Sequence, residues 1–232
     1  MKVALLGDIH GNHLALRAVL SEATRNGVER LLITGDLVGY YFWPKEVLEL
    51  LSPWPMHVVR GNHEEMLSAA RKDPGCLQKI EQKYGSGIRV ALDTLSPAQL
   101  LWLENLPHPL RLELGGCLIL LCHGAPWDFD RYIYPDADAS LLEKCAAQGE
   151  DFVVLGHTHY AFQRRCGRTL VVNPGSVGQP RDRNPGAHWA LLDTSTREVT
   201  RFTENYDIAE VIEYSRASQP AVPYLADVLC RK

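Results

Sequence analysis

Three short apolar runs near the start of this chain each lead to a glycine that is followed at once by an acid or an amide. Residues 2–6 lead into Gly7-Asp8, residues 30–34 into Gly35-Asp36, and residues 56–59, after Arg60, into Gly61-Asn62. Apolar runs of this length bounded by glycine read as buried strands. Between them, residues 12–26 place Leu14, Leu16, Val19 and Leu20 at helical spacing before Gly27, and residues 44–51 begin with Pro44, a residue suited to the first turn of a helix. This β-α-β-α-β rhythm predicts parallel strands with their C-terminal ends on one edge, where open α/β sheets gather ligands. Asp8, Asp36 and Asn62 then converge on one place.

The pattern changes downstream. Residues 64–106 read as helical, with Ser96-Pro97 as a helix start. Three hairpins follow: residues 110–114 and 118–122 around Gly115-Gly116, 161–165 and 169–172 around Cys166-Gly167-Arg168, and 187–193 and 197–203 around Thr194-Ser195-Thr196. A helix at 139–147, a strand at 152–155 and two short helices separated around Pro220 complete the reading. So many hairpins make the chain α+β and not a purely parallel, doubly wound sheet.

The 232 residues are 46% hydrophobic and show no repeat or long linker, which predicts one domain over residues 1–232. A net charge of −4 offers no basic surface for general nucleic-acid binding. The opening apolar run meets Asp8 too soon for a secretory signal, and no stretch approaches the ~20 residues that span a bilayer. A cytoplasmic protein without membrane partners is expected. Cys76, Cys117, Cys122, Cys145, Cys166 and Cys230 form no C-x-x-C pair, which predicts reduced thiols and not a zinc–thiolate site.

The later strands end in imidazoles. The strand at 118–122 delivers His123, and the one at 152–155 delivers His157 and His159. In Asp8-x-His10 and His157-x-His159, residues two apart on an extended or turning segment point the same way. Of nine histidines, five (His10, His63, His123, His157 and His159) lie in glycine-flanked segments, while His13, His57, His108 and His188 do not and read as ordinary. Taken singly, Asp36 and Asn62 read as turn residues and His123 as a core histidine. Taken together, two carboxylates, one amide and several imidazoles suffice to hold two metal ions side by side, a device for displacement at phosphorus. A mixed oxygen and nitrogen shell suits Mn²⁺, Fe²⁺, Zn²⁺ or Ni²⁺ better than Ca²⁺. Two divalent ions are expected, Mn²⁺ first among them. For substrate contacts, Arg60, Arg181 and Arg183 carry the guanidinium fork that matches phosphate, and Asn12 and Tyr40 stand near the ligand candidates. Tyr41-Phe42-Trp43 and Trp127-Asp128-Phe129 are aromatic clusters that read more readily as core or crevice wall.

The order GD-x-HGN, GD-x-V, GNHE, HG and GHTH, at residues 7–12, 35–38, 61–64, 123–124 and 156–159, resembles the calcineurin-like metallophosphoesterase superfamily. It is similar to the compact bacterial and archaeal phosphoesterases, whose second motif continues as GDLVGYG; here Gly35-Asp36-Leu37-Val38-Gly39-Tyr40-Tyr41 stands in that place. Residues 173–181, Asn-Pro-Gly-Ser-Val-Gly-Gln-Pro-Arg, also resemble that subgroup. The resemblance implies two mixed β-sheets packed together with helices outside, a four-layer α/β/β/α sandwich with a metal site at the strand C-terminal edge. It implies that Asp8, His10 and His159 bind one metal, that Asn62, His123 and His157 bind the other, and that Asp36 bridges them. His63 would stand over the metals as the catalytic residue without ligating them. The implied reaction is hydrolysis of phosphodiesters, on a small or nucleotide-like substrate, by a hydroxide bridging the metals. The first alternative is a phosphomonoesterase, including a protein phosphatase or a dinucleoside polyphosphate hydrolase; those relatives carry GD-x-VDRG, whose arginine grips a terminal phosphate, where this chain has Gly39-Tyr40. The second is a non-enzymatic scaffold, disfavoured because every ligand position is filled.

Overall fold

The structure is a computed structural model that describes residues 1–147 and 149–231. Strands β1 (Lys2–Leu6), β2 (Arg30–Ile33) and β3 (Met56–Val58) pair in parallel, as the opening rhythm predicts. Their crossovers are α1 (His13–Arg25) and α2 (Pro44–Leu51). The stretch read as continuously helical resolves into α3 (Asn62–Lys72), α4 (Pro74–Tyr84), α5 (Gly87–Thr94) and α6 (Pro97–Glu104). Pro74, Gly85 and Pro97 break it: a proline is accepted only in a helix's first turn, and a glycine favours its end.

The second sheet holds β4 (Leu110–Leu114), β5 (Cys117–Leu121), β6 (Phe152–Val154), β7 (Phe162–Cys166) and β8 (Thr169–Asn173), in the order β4-β5-β6-β8-β7. Its three central strands are parallel and its two edges antiparallel. Helix α7 (Ala139–Ala146) crosses between β5 and β6. Strands β9 (Ala187–Asp193) and β10 (Glu198–Glu204) then return to the first sheet and add antiparallel beyond β1, giving β10-β9-β1-β2-β3. Helices α8 (Ile208–Ser218) and α9 (Tyr224–Asp227) close the chain with a short 3₁₀ turn.

Strand alternation sets the layers. In β1, Val3 and Leu5 pack with Leu32 against Ile119, Leu121, Val154 and Val172 of the second sheet. Ala4 and Leu6 point the other way and pack with Ile33 under Leu16 and Val19 of α1 and Val47 of α2. On the far face, Leu120, Val153 and Val171 pack against Leu142 and Cys145 of α7. This is the α/β/β/α sandwich of two mixed sheets. Each Val or Leu so buried contributes ~1.5–3 kcal/mol, so the dry seam between the sheets fixes how their ends meet. At the C-terminus, Val211, Leu225 and Leu229 pack over Leu14, Tyr41 and Phe42, which makes those two aromatics core.

Candidate metal centre

The parallel strands of both sheets end on one side, and the chain turns sharply there. Asp8, His10, Asp36, His157 and His159 have φ between 52° and 68°, and Tyr40 has 53°. These six are most of the eight non-glycine residues with positive φ among those described. Asp, Asn and His tolerate this left-handed conformation better than other residues. The two-residue spacing of Asp8 with His10, and of His157 with His159, therefore converges through alternate left-handed residues and not through an extended segment. Backbone hydrogen bonds lock the turns together: the Asp8 N–H donates to Gly35 O at 3.1 Å and the His10 N–H to Asp36 O at 2.8 Å.

Each imidazole in the cluster has one nitrogen committed to a backbone carbonyl. His10 Nδ1 meets Val38 O at 3.2 Å, His123 Nδ1 meets Thr34 O at 2.7 Å, His159 Nδ1 meets Gln179 O at 2.5 Å, and His157 Nε2 meets Asp130 O at 3.1 Å. A carbonyl only accepts, so these nitrogens carry the hydrogens. The opposite nitrogens then present lone pairs, and they face one another: His10 Nε2 and His159 Nε2 lie 3.2 Å apart, and His123 Nε2 and His157 Nδ1 lie 3.1 Å apart. Asn62 Oδ1, a further acceptor, lies 2.9 Å from His123 Nε2. Asp36 Oδ2 stands between the groups, 3.7 Å from His10 Nε2 and 3.5 Å from His123 Nε2, while Asp8 Oδ1 is 3.5 Å from His159 Nε2. The ligand atoms of Asp8, His10 and His159 lie within 4.8 Å of one another, as do those of Asp36, His123 and His157. Within each nest the imidazole lone pairs face one another and repel unless a cation or a carboxyl proton lies between them. The residues fit divalent metal ions, with a second shell of carbonyls that fixes each tautomer.

Burial holds the imidazoles neutral. His10, His123 and His159 are pushed well below the usual imidazole range by desolvation, His157 to about 4 and His63 to about 3. The carboxyls move the other way: desolvation raises Asp8 to about 8 and Asp36 well above its usual value, the latter helped by the charges of Glu64 and Asp8. A bound cation reverses that balance by displacing the protons.

Helix α3 begins at Asn62 itself, so Asn62 and His63 occupy a helix's first turn and not a free loop. The His63 N–H donates to Asp36 Oδ1 at 2.8 Å, satisfying one of the orphan donors of that turn. The His63 ring is buried, its Nδ1 lacks a hydrogen-bond partner, and it packs edge-on to His10 at 4.6 Å. Two glycines make room here. A Cβ on Gly39, where φ is +89°, would lie 2.0 Å from His63 Nδ1, and one on Gly61 would lie 2.1 Å from Asp36 Oδ1. The glycine before Asn62 is thus a packing requirement of Asp36.

Glu64 closes the GNHE motif, where the sequence suggests no role for it, and the structure makes it a tie between the turns of the site. It is fully buried, and its two carboxylate oxygens accept from the backbone of Asp36, Leu37 and Gly61 at 2.8 Å each and from Val38 at 3.4 Å. It ties the turn carrying Asp36 to the start of the helix carrying Asn62 and His63. In sequence it looks like a first-turn helical acid capping Gly61, and its other three partners lie some 27 residues upstream.

The acceptor nests open into a small cleft of about 30 Å³. Its walls include Tyr40 and Arg181, both named as substrate contacts, together with Tyr84 and Tyr132. The last two carry no motif: Tyr84 ends α4, 5.6 Å from the His63 ring, and Tyr132 lies 3.9 Å from the His157 ring. Asn12 is elsewhere engaged. Its Oδ1 caps α1 by accepting from Ala15 N–H, and its amide donates to Gly178 O and Tyr206 Oη. Arg60 pairs with Glu65 at 3.2 Å, and Arg183 is exposed. Tyr41 and Phe42 are core, and Trp127 lies under Lys144 at 3.9 Å, so these aromatics do not wall the cleft. His13, His57, His108 and His188 lie outside the cleft.

Residues 1–197 match the profile of the calcineurin-like phosphoesterase superfamily domain. An uncharacterized protein of Methanocaldococcus jannaschii is 28% identical over 91% of this chain and 90% of its own length. Phosphodiesterase YfcE of Escherichia coli is 25% identical over 91% of this chain and 97% of its own. Among solved structures, a hypothetical protein from Pyrococcus horikoshii superposes with a TM-score of 0.86 at 26% identity, covering 98% of this chain and 97% of that one. The metallophosphoesterase from Sphaerobacter thermophilus superposes with a TM-score of 0.80 at 26% identity, covering 100% and 98%. The matched span runs through every turn that carries an acceptor of the two nests, and the chain belongs to the calcineurin-like phosphoesterase superfamily.

Proposed function

We propose that this chain is a dinuclear-metal hydrolase of phosphoric esters, with phosphodiesters as its substrates. The observation that carries the proposal is the pair of nests of facing imidazole lone pairs, both approached by Asp36 Oδ2. Asp8, His10 and His159 would hold one ion, Asn62, His123 and His157 the other, with Asp36 reaching both. When bound, two divalent ions supply an activated water and neutralise charge developing at phosphorus. The diester preference is supported by the name of the relative YfcE, a phosphodiesterase, at 25% identity.

The chain's own residues do the rest. The carbonyls of Val38, Thr34, Asp130 and Gln179 hold the four imidazoles in the ligating tautomer. His63 stays at the cleft, tied by its backbone to Asp36 Oδ1. Its ring is neutral in the free site, because burial and then the charge of Arg181 depress it to about 3. The charge of an anionic substrate opposes that of Arg181, so His63 would take a proton from solvent as substrate binds and give it to the leaving-group oxygen. Tyr84 and Tyr132 line the cleft beside His63 and His157, where the ester arms of a substrate would pass. The test is turnover of bis(p-nitrophenyl) phosphate against p-nitrophenyl phosphate by protein reconstituted with Mn²⁺, Fe²⁺, Ni²⁺ or Zn²⁺. Faster hydrolysis of the monoester would overturn the diester preference, and hydrolysis of neither with full metal content would overturn the reading.

A further inference from the structure

Arg181 presents a cation that pairs directly with no carboxylate, Asp8 and Asp36 acting on it only from beyond ion-pairing distance. Its Nη2 donates to Tyr40 Oη at 3.0 Å and to Gln179 Oε1 at 3.0 Å, and its Nε donates to the same Gln179 oxygen at 3.3 Å. All of these acceptors are neutral. Among the described residues no carboxylate lies within ion-pairing distance of it, whereas Arg60 has Glu65, Arg71 has Glu104, Arg89 has Glu81 and Arg197 has Asp151. Such a charge, half withdrawn from water on a cleft wall, is costly to keep unless an anion visits it. The cleft it lines is the one that holds Asp36, His63 and His159.

We propose that Arg181 binds the oxygens of the substrate's phosphate group, and that Tyr40 and Gln179 are the positioning residues that aim it. The proposal rests on the phosphoesterase reading and names the residue that recognises the phosphate. A guanidinium keeps its charge and carries five N–H donors, so it can be held by neutral partners and still donate to a phosphate oxygen. Here one side of the group, Nε with Nη2, is spent on Gln179 and Tyr40, which leaves Nη1 outside all of these bonds. The Arg181 guanidinium also lies 5.7 Å over the Tyr40 ring, so Tyr40 supports it with both its face and its hydroxyl. Gln179 is itself immobilised: it is fully buried, its backbone N–H donates to Ser176 Oγ at 2.8 Å, and its amide donates to Tyr41 Oη at 3.4 Å. Its carbonyl accepts from His159 Nδ1. One residue therefore orients an acceptor of the metal nest and the phosphate-binding cation at the same time, which fixes their relative placement to within a side chain's freedom.

The experiment uses the Mn²⁺-loaded wild-type chain and its R181Q, R181K and Y40F variants. Inorganic phosphate is titrated into each by calorimetry, KM and kcat are measured with bis(p-nitrophenyl) phosphate, and metal content is measured alongside. R181Q should weaken inorganic phosphate by at least ~10-fold and raise KM with metal content equal to wild type's, since charge-assisted hydrogen bonds are lost. R181K should recover part of that loss, and Y40F should weaken phosphate in the same direction by less. Unchanged phosphate affinity in R181Q overturns the assignment, and so does loss of metal, which would make Arg181 a support of the nests. Should R181Q fold poorly, R181K binding phosphate as tightly as wild type would overturn the role of the guanidinium aimed by Tyr40 and Gln179. A wild-type chain that binds phosphate through Arg181 yet hydrolyses no ester would refute the hydrolase reading alone.

Discussion

Replacing Glu64 by Gln tests how the two metal nests are held together. The carboxylate accepts from Leu37 and Val38 at Oε1 and from Asp36 and Gly61 at Oε2. E64Q keeps the shape but turns one of those oxygens into an amide NH₂, so two backbone N–H groups face a donor. A buried donor without an acceptor costs ~1–3 kcal/mol, so the variant should lose ~2–6 kcal/mol. That is a large share of the ~5–15 kcal/mol that stabilises an ordinary domain. The turn at Asp36–Val38 loosens in either orientation of the amide, and Val38 O is the carbonyl that orients His10. Metal affinity should therefore fall with stability. Urea denaturation in EDTA reads the first effect, and competition with a chromophoric chelator for Mn²⁺ reads the second. E64D, one methylene shorter, should suffer comparably because it spans only one of the two turns. A stability for E64Q within ~0.5 kcal/mol of wild type in EDTA would refute the claim that these four bonds hold the site.

Three further outcomes follow from the geometry. Asp8 is raised from 3.8 to about 8, so its contribution to the metal-free fold is fully present below pH 4 and is lost as pH rises through 8. His157 and His63, depressed to about 4 and about 3, contribute stability that is present above pH 6.5 and lost as pH falls through those values. Between pH 6.5 and 8 only the carboxyls move, so metal-free protein should lose about 2 kcal/mol from Asp8 alone, and the Tm gain on adding Mn²⁺ should grow; a gain that stays constant across that interval contradicts it. G39A should push the His63 ring aside and lower kcat by ~10²-fold or more with metal content unchanged, since its Cβ would overlap Nδ1; turnover equal to wild type's would show that His63 does not act. D36A should strip both ions and H63A neither, a contrast that metal analysis of the two purified variants decides.

The strand ends were legible in the sequence because each is marked locally: an apolar run, a glycine, and a polar residue that the sheet edge delivers to a common place. The hairpins were legible for the same reason, and their bounds move by a residue at most places. What stayed hidden depends on partners far along the chain. Glu64 reads as a helix-starting acid, since nothing near it announces the Asp36 turn that it grips. Tyr84 and Tyr132 come from two separate excursions, a helix end and a loop after β5, and only the folded sandwich brings them to one cleft. Asn12 looks like a pocket residue by proximity to His10, but a helix start needs a cap, and the cap uses its oxygen. Choosing Arg181 over Arg60 and Arg183 required knowing which arginine lines the cleft, which pairs with Glu65 and which faces solvent, a question of tertiary contacts.

The left-handed turns also set what this chain's descendants can become. A side chain with a Cβ costs roughly 1–2 kcal/mol in that conformation, least for Asn and Asp and nothing for Gly. Positions 8, 10, 36, 157 and 159 therefore disfavour Val and Ile most of all before any chemistry is considered. A lineage that gave up catalysis would find Asn or Gly the easiest replacements there. Its loops would go on tracing the outline of a metal site long after the metals were gone, a fossil kept by backbone geometry rather than by selection for hydrolysis.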